Sequence, residues 1–361
     1  MTTLIFPAGM PGSISYLHTC NEQKKQVIGA SSLRNDPSRE QYSRWAFLPY
    51  VTDPTFESEL ARLLSTSKVS EIFTANPTVW NVLSKLLPSL APDVSLVGDS
   101  PVREVLSTYR SSMLVSNRLW ESREFLQLGS KAMARMSQAN FNAMVHHTNT
   151  IPGMCDHQKL LALSEIFRAA PSGDVVEIGS WWGKSAFILN FLAQHYQIGP
   201  TLCVDPWAIE HTLQDVPLLN EMAEEMSVDE GHQVFLTNLI PYSRGELNFL
   251  RMPSVEAATV YRESERVESE AFGTTEYARK ISVLHIDGNH KQEAVEADFA
   301  AWSDLVVAGG WIIFDDYRWP YGDGPKVVAD RVLQSRVEGI ERAFYMGGAM
   351  FVQTSSAQLP C

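Results

Sequence analysis

The sequence predicts an α/β protein made of two parallel, doubly wound sheets with a helical stretch between them. Three observations lead there. Short apolar runs alternate with helical periodicity in residues 1–100 and again in 151–361, and strands alternating with helices imply parallel pairing. The stretch between them, 101–150, lacks strand-like runs and is rich in Met, Ser, Arg and Glu. A length of 361 residues exceeds what one hydrophobic core usually organises.

In the first region Thr3–Phe6 (TLIF) is a strand ended by Pro7-Ala8-Gly9, and Ser13 can cap a helix over Ile14–Lys25. Gln26–Ala30 (QVIGA) is a second strand, and Ala46–Val51 (AFLPYV) a third, weakened by Pro49. Asp53 as N-cap and Pro54 at the first position open a helix. Val69–Ala75, a helix over Thr78–Leu87, and Val94–Gly98 complete the series. In the connector and just after it, Met133, Met136, Met144 and Met154 read as packing residues.

The second region opens with an amphipathic helix over Leu160–Ala169. Strands follow at Val175–Ile178, Leu202–Val204, Leu247–Arg251, Val283–Ile286 and Trp311–Phe314, with helices over Ser185–His195 and Gln292–Trp302. Ala343–Met346 and Ala349–Gln353 flank Gly347-Gly348, a two-residue hairpin signal.

Composition narrows the function. Hydrophobic residues are 45% and charged residues 20%, which argues against wholesale disorder. The net charge is −13 with no dense Lys/Arg run, which disfavours nucleic-acid partners and favours a small-molecule substrate. Cys20, Cys155, Cys203 and Cys361 are far apart and form no C-x-x-C pair, so reduced thiols in the cytoplasm are expected and zinc is not. No cationic signal pattern opens the chain and no apolar run is long enough to span a bilayer, so no membrane partner is expected.

The chemistry concentrates in four segments. Residues 175–185 (VVEIGSWWGKS) run from a strand through Glu177, Gly179 and Gly183 straight into a helix. Such glycines let the backbone turn tightly and approach a ligand, and the helix start offers free N–H groups to an anion. Asp205 ends the next strand, 28 residues after Glu177, where a carboxylate can accept both hydroxyls of a ribose or simply cap a helix. Asp287 in HIDGNH (285–290) and the pair Asp315-Asp316 in WIIFDDY (311–317) follow apolar strands at the sheet edge where α/β folds bind ligands.

The segments EIGSWWGKS, VDPW, HIDGNH and GGWIIFDDY resemble the metal-dependent class I O-methyltransferases. That group includes the catechol-type and macrocin-type enzymes and the cephalosporin-hydroxylase-like proteins. The resemblance spans about 200 residues, and the terminal hairpin fits that layout. The glycine motif departs from the commoner form, since Trp181 stands where a middle glycine is usual. The resemblance implies a Rossmann-like class I methyltransferase sheet binding S-adenosylmethionine. Glu177, Gly179, Gly183 and Ser185 would form the glycine loop, with Gly179 and Ser185 at the methionine end. Asp205 would hold the ribose, and Trp207 either lies against the adenine or packs in the core.

Three carboxylates at one edge repel unless a cation neutralises them, and hard oxygen ligands suit Mg²⁺ or Mn²⁺. Asp287, Asp315 and Asp316 are therefore candidate metal ligands; alternatively one binds metal and the others serve as caps. His290 falls at the family's general-base position, while His285 lies inside the strand and reads as structural. Tyr317, Trp319 and Tyr321, with Gly322 and Gly324, make an aromatic loop beside that edge, a substrate wall or a packed surface loop. Ile151–Met154 is a candidate cover for the cofactor. The expected reaction is methyl transfer to a hydroxyl of a sugar or natural-product type molecule, with Mg²⁺ assistance. The alternatives are a metal-free enzyme relying on His290, and a non-catalytic binding protein.

LIFPAGMPGS, QVIGASS, WAFLPYVTD and VSEIFTANP loosely resemble the small Rossmann-like domain that precedes ATP-grasp catalytic domains. Gly9 and Gly12 there could cradle a phosphate or form a plain turn. Residues 101–150 are a candidate surface for a homo-oligomer.

Overall fold

A computed structural model describes residues 2–126, 132–213, 220, 227–335 and 337–355. The chain divides into two compact units, Met1–Arg110 and Ser111–Cys361.

The first unit is a five-stranded parallel sheet in the order β3-β2-β1-β4-β5. Its strands are β1 (Thr2–Ile5), β2 (Gln26–Ser31), β3 (Trp45–Phe47), β4 (Val69–Phe73) and β5 (Ser95–Leu96). Its helices are α1 (Pro11–Glu22), α2 (Phe56–Ser67), α3 (Pro77–Leu90) and α4 (Pro101–Val105). Alternation along the strands splits the core between two faces. Leu4, Ile28 and Ile72 pack with Phe56, Leu60 and Leu83, and Ile5 and Val27 pack with Leu17 and Cys20. Two expected caps differ. Ser13 lies inside α1 and donates its hydroxyl to the Pro7 carbonyl at 2.7 Å, because Pro11 starts the helix earlier. Asp53 accepts from the Thr55 amide at 2.8 Å, forming the turn that delays α2 to Phe56.

The second unit contains α5 (Ser107–Glu121, which crosses the unit boundary), α6 (Gln138–Thr150), α7 (His157–Ile166) and α8 (Lys184–Tyr196). The helices α9 (Ile209–Thr212), α10 (Val228–Leu239), α11 (Ser254–Glu263), α12 (Gln292–Trp302) and α13 (Gly324–Ser335) follow. Its strands β6 (Asp174–Ile178), β7 (Thr201–Val204), β8 (Leu247–Leu250), β11 (Ile281–Ile286), β12 (Val306–Phe314), β13 (Ile340–Met346) and β14 (Ala349–Thr354) form one sheet. The order is β13-β14-β12-β11-β6-β7-β8, with β14 antiparallel to both neighbours. A separate hairpin joins β9 (Arg266–Ser269) to β10 (Gly273–Glu276).

Alternation again sorts the core. Val175, Val283, Trp311 and Ile313 face α6, α7, α8 and α10, while Val176, Leu284, Ile312 and Phe314 face α11, α12 and α13. Of the four methionines, Met136 and Met144 are buried as expected, with Met144 in α6 part of the core. Met133 and Met154 are exposed, since neither lies on a helix face turned to the sheet. Cys20, Cys155 and Cys203 are free thiols. Among the described residues no helix is long and apolar enough to cross a membrane.

Candidate functional site

The carboxyl ends of β6, β11 and β12 lie side by side, and each delivers one part of the site. Gly179, just after β6, has φ +83°, and a Cβ there would lie 2.0 Å from the Asp287 carbonyl oxygen. Only glycine lets the two loops touch backbone to backbone. Gly183 (φ +86°) is the N-cap of α8 and packs on Phe235 and Leu239 of α10. Ser185 is buried in the first turn of α8.

Trp181, at the unusual position of the motif, adopts the left-handed φ of +44° that a glycine would take freely. Two hydrogen bonds hold it there. Its amide donates to Asp205 Oδ2 at 2.9 Å, and the Trp207 indole donates to its carbonyl at 2.9 Å. Asp205 also accepts from the Trp207 amide at 2.8 Å. Burial raises the Asp205 carboxyl above its usual range despite these bonds. Three further polar atoms, Glu177 Oε2 in β6 and Ser180 Oγ and the Trp182 indole nitrogen in the loop, are buried with no hydrogen-bond partner, an arrangement that costs free energy unless something fills it. The Trp207 ring is only 1% exposed and sits among His232, Phe235 and Phe249. Of its two expected roles it takes the core one. Gly153 comes 3.3 Å (as a Cβ) from Lys184 Cβ, which sets Ile151–Met154 against the start of α8.

The acidic side divides in two. Asp287 belongs to two groups whose ligand atoms all lie within 4.8 Å of one another: one with His285 and Asp315, the other with His290 and Asp316. Asp315 and Asp316 thus fall in different groups and do not form one trio with Asp287. The reason is local. Asp315 continues the strand, its amide donating to the Ile286 carbonyl at 2.9 Å, whereas Asp316 has φ +50° and turns away.

The inner group already holds a cation. Lys159 of α7 is buried and donates to Asp315 Oδ2, with Asp287 Oδ2 at 3.8 Å. His285 Nε2 lies 3.6 Å from Asp315, and its Nδ1 is 3.1 Å from Glu177. Burial acts against every charge here. At Asp315 the Lys159 ammonium and His285 outweigh it and hold the carboxyl well below the usual range. At Lys159 Asp315 outweighs it and holds the ammonium well above its usual value. At Asp287 burial and Asp315 together raise the carboxyl.

The outer group is more open. His290 Nε2 is 3.1 Å from Asp316 Oδ2. Burial pushes Asp316 up to about 6, with Asp315 adding to it. Burial also pushes His290 down to about 4, leaving a neutral imidazole at neutral pH. Trp319 packs edge-on to His290 at 4.4 Å, and Tyr321 packs on Trp319. An open surface depression of about 440 Å³, to which Trp319 but not His290 contributes, is lined also by Tyr317, Arg318, Pro320, Asp323 and Lys326. Gly324 is a close-approach glycine rather than a hinge, since a Cβ would fall 2.1 Å from the His290 carbonyl oxygen.

Sequence reasoning placed the glycine loop, Asp205, Asp287 and His290 at one sheet edge. It missed Lys159 and the share of His285. The available signal for Lys159 was a lysine opening the apolar run KLLAL, in a helix whose residues 159–166 are all buried.

Residues 176–317 match the family described as a methyltransferase domain. No curated protein matches the chain. Among solved structures, the O-methyltransferase NovP is 16% identical with a TM-score of 0.38, over 54% of this chain and 79% of that one. CalS11, a TDP-rhamnose 3′-O-methyltransferase of calicheamicin biosynthesis, is 13% identical with a TM-score of 0.36, over 71% and 96%. The stretch that matches the methyltransferase-domain family thus lies on an α/β sheet that ends in an antiparallel hairpin.

Proposed function

We propose that this protein transfers the methyl group of S-adenosylmethionine to a hydroxyl of a small molecule, with His290 as the general base. The observation that carries the reading is the adjacency of two half-sites. The glycine loop with its unpartnered buried polar atoms touches, backbone to backbone, the loop that carries Asp287 and His290.

The cofactor, when bound, supplies an electrophilic methyl on a sulfonium. The chain's residues do the rest. Gly179 and Gly183 keep the loop backbone bare, and the start of α8 presents amide donors to a carboxylate. Asp205 keeps acceptor capacity for ribose hydroxyls beyond its two backbone bonds. Its anchorage of Trp181 ties that contact to the shape of the loop. His290, neutral and beside the aromatic loop, takes the acceptor's proton. Trp319, packed on His290, and Tyr321 beside it would give an aromatic face for the acceptor.

A divalent cation fits the outer group. Asp287 and Asp316 would supply oxygen ligands, which suits Mg²⁺ or Mn²⁺ with retained waters. Such an ion would lower the pKa of a hydroxyl bound to it. Asp315, bonded to Lys159, does not fit as a direct ligand in this arrangement.

The test is incubation with S-adenosylmethionine carrying a labelled methyl and a panel of hydroxylated sugars, phenols and glycosides, read by mass spectrometry. Transfer of about 14 Da to a hydroxyl supports the reading. His290→Ala should slow transfer about 10²–10⁴-fold. Calorimetry showing no heat with S-adenosylmethionine or its demethylated product would sink it.

A further inference from the structure

Lys159 stands beside the site without a part in the transfer chemistry. It is 2% exposed and donates to Asp315, with Asp287 at 3.8 Å. Its backbone is seated from two sides. Asp156 caps α7 by accepting from the amides of Gln158 and Lys159 at 2.6 and 3.3 Å. Gly347, the left-handed first residue of the β13–β14 turn, is packed so close that a Cβ would fall 2.1 Å from the Lys159 amide nitrogen. The ammonium is thus aimed at the carboxylates by fixed backbone and is not a mobile surface group.

We propose that the Lys159 ammonium is the resident inner cation of the carboxylate cluster. It balances the charge of Asp315 and offsets part of that of Asp287, and leaves a divalent ion the outer position beside Asp287 and Asp316. This rests on reading the cluster as a cation site, as above.

The argument is electrostatic. One carboxylate oxygen of the half-buried Asp287 lies within 4.8 Å of one of the buried Asp315, a separation at which like charges repel. A buried ammonium hydrogen-bonded to one carboxylate and close to the other relieves that repulsion, and each charge in turn offsets the desolvation of its partner. A dication bound through Asp315 Oδ2 would meet the ammonium already bonded to that oxygen. The cluster therefore stands assembled without metal, and Lys159 acts as a positioning residue through Asp315 and Asp287.

The test uses the full chain and no methyl donor, so it stands or falls separately from the reaction. Melting temperature is read in EDTA and in Mn²⁺, and Mn²⁺ binding by calorimetry, for wild type, Lys159→Met and Lys159→Arg. Wild type should gain only what occupancy of the outer position supplies, a smaller shift than that of Lys159→Met. Lys159→Met should lose roughly 10 °C in EDTA, the scale of breaking a buried ion pair. It should recover most of that in Mn²⁺ and bind Mn²⁺ at least tenfold more tightly than wild type. Lys159→Arg should behave as wild type. If Lys159→Met does not fold in EDTA, the double variant Lys159→Met/Asp315→Asn, which removes one charge of each sign, should fold without metal and lose the tighter binding. A merely structural lysine would not tighten metal binding when removed. Unchanged or weaker Mn²⁺ binding in Lys159→Met overturns the proposal, as does a Lys159→Met whose melting temperature gains no more from Mn²⁺ than that of wild type.

Discussion

Replacing Gly179 by alanine tests the backbone contact between the two half-sites. The added Cβ would lie 2.0 Å from the Asp287 carbonyl oxygen and 2.7 Å from Gly288 Cα. A carbon normally stays about 3.3 Å or more from such an oxygen, so one loop must retreat by about 1 Å. That retreat strains two hydrogen bonds, Gly179 amide to Val204 carbonyl and Asp287 amide to Ile178 carbonyl, both 2.8 Å. Holding alanine at φ +83° adds about 1–2 kcal/mol, and overpacking typically adds about 1–3 kcal/mol. The sum, about 2–5 kcal/mol, corresponds to a melting shift of roughly 5–15 °C in a unit of this size. A displacement of about 1 Å at the reacting centre is worth about 100-fold in rate. Gly245→Ala is the control: its φ is +78° but nothing lies within 4 Å of the added carbon, so only the conformational cost remains. The assays are thermal melts and calorimetric titration with S-adenosylmethionine. If Gly179→Ala melts and binds like Gly245→Ala, the steric account is wrong.

Two further outcomes are expected. Asp205→Asn keeps one acceptor oxygen and so loses the bond to Trp181 or to Trp207; it should cost about 1–3 kcal/mol of stability and weaken cofactor binding at least tenfold by calorimetry, and unchanged binding would remove Asp205 from the cofactor site. Asp298 of α12 is buried and its carboxyl is pushed up to about 6, chiefly by burial. The folded protein therefore holds this proton where the unfolded chain releases it, so its effect on stability falls as pH rises from about 4 to 6, by as much as about 3 kcal/mol. Asp298→Asn should be more stable than wild type at pH 7 and lose that part of the pH dependence in denaturant melts; a slope unchanged from wild type would refute the assignment.

What the sequence revealed depended on how local the cause was. The β6 turn, the start of α8 and the Gly347-Gly348 turn follow from neighbours in the chain, and the helix Gln292–Trp302 was legible to its ends. The helices α10, α11 and α13 were not read, because their apolar positions are spaced by charged residues and their role comes from packing under the sheet. The acidic site failed at its non-local step. Counting three carboxylates gave a charge that demanded an external ion, but an ammonium 156 residues away reaches Asp315. Similarly, in sequence Asp315 and Asp316 read as ligands of one site with Asp287, and a single left-handed φ at Asp316 separates them.

The reversal of β14 shapes one side of the site. Because β14 runs opposite to β12, with Met350 opposite Phe314, the connection before it arrives at the carboxyl edge as a two-residue turn. Gly348 accepts from the Arg318 amide at 3.2 Å, and Gly347 abuts the first turn of α7. On that flank the carboxyl edge of the sheet is bounded by a short clasp of main chain, Gly347-Gly348, with no side chains to vary. Under the proposed function, changes of acceptor would be drawn from the side chains of the adjoining aromatic loop, Tyr317, Trp319 and Tyr321, while the clasp, bonded to Arg318, stays constant as a gauge against which the pocket is cut.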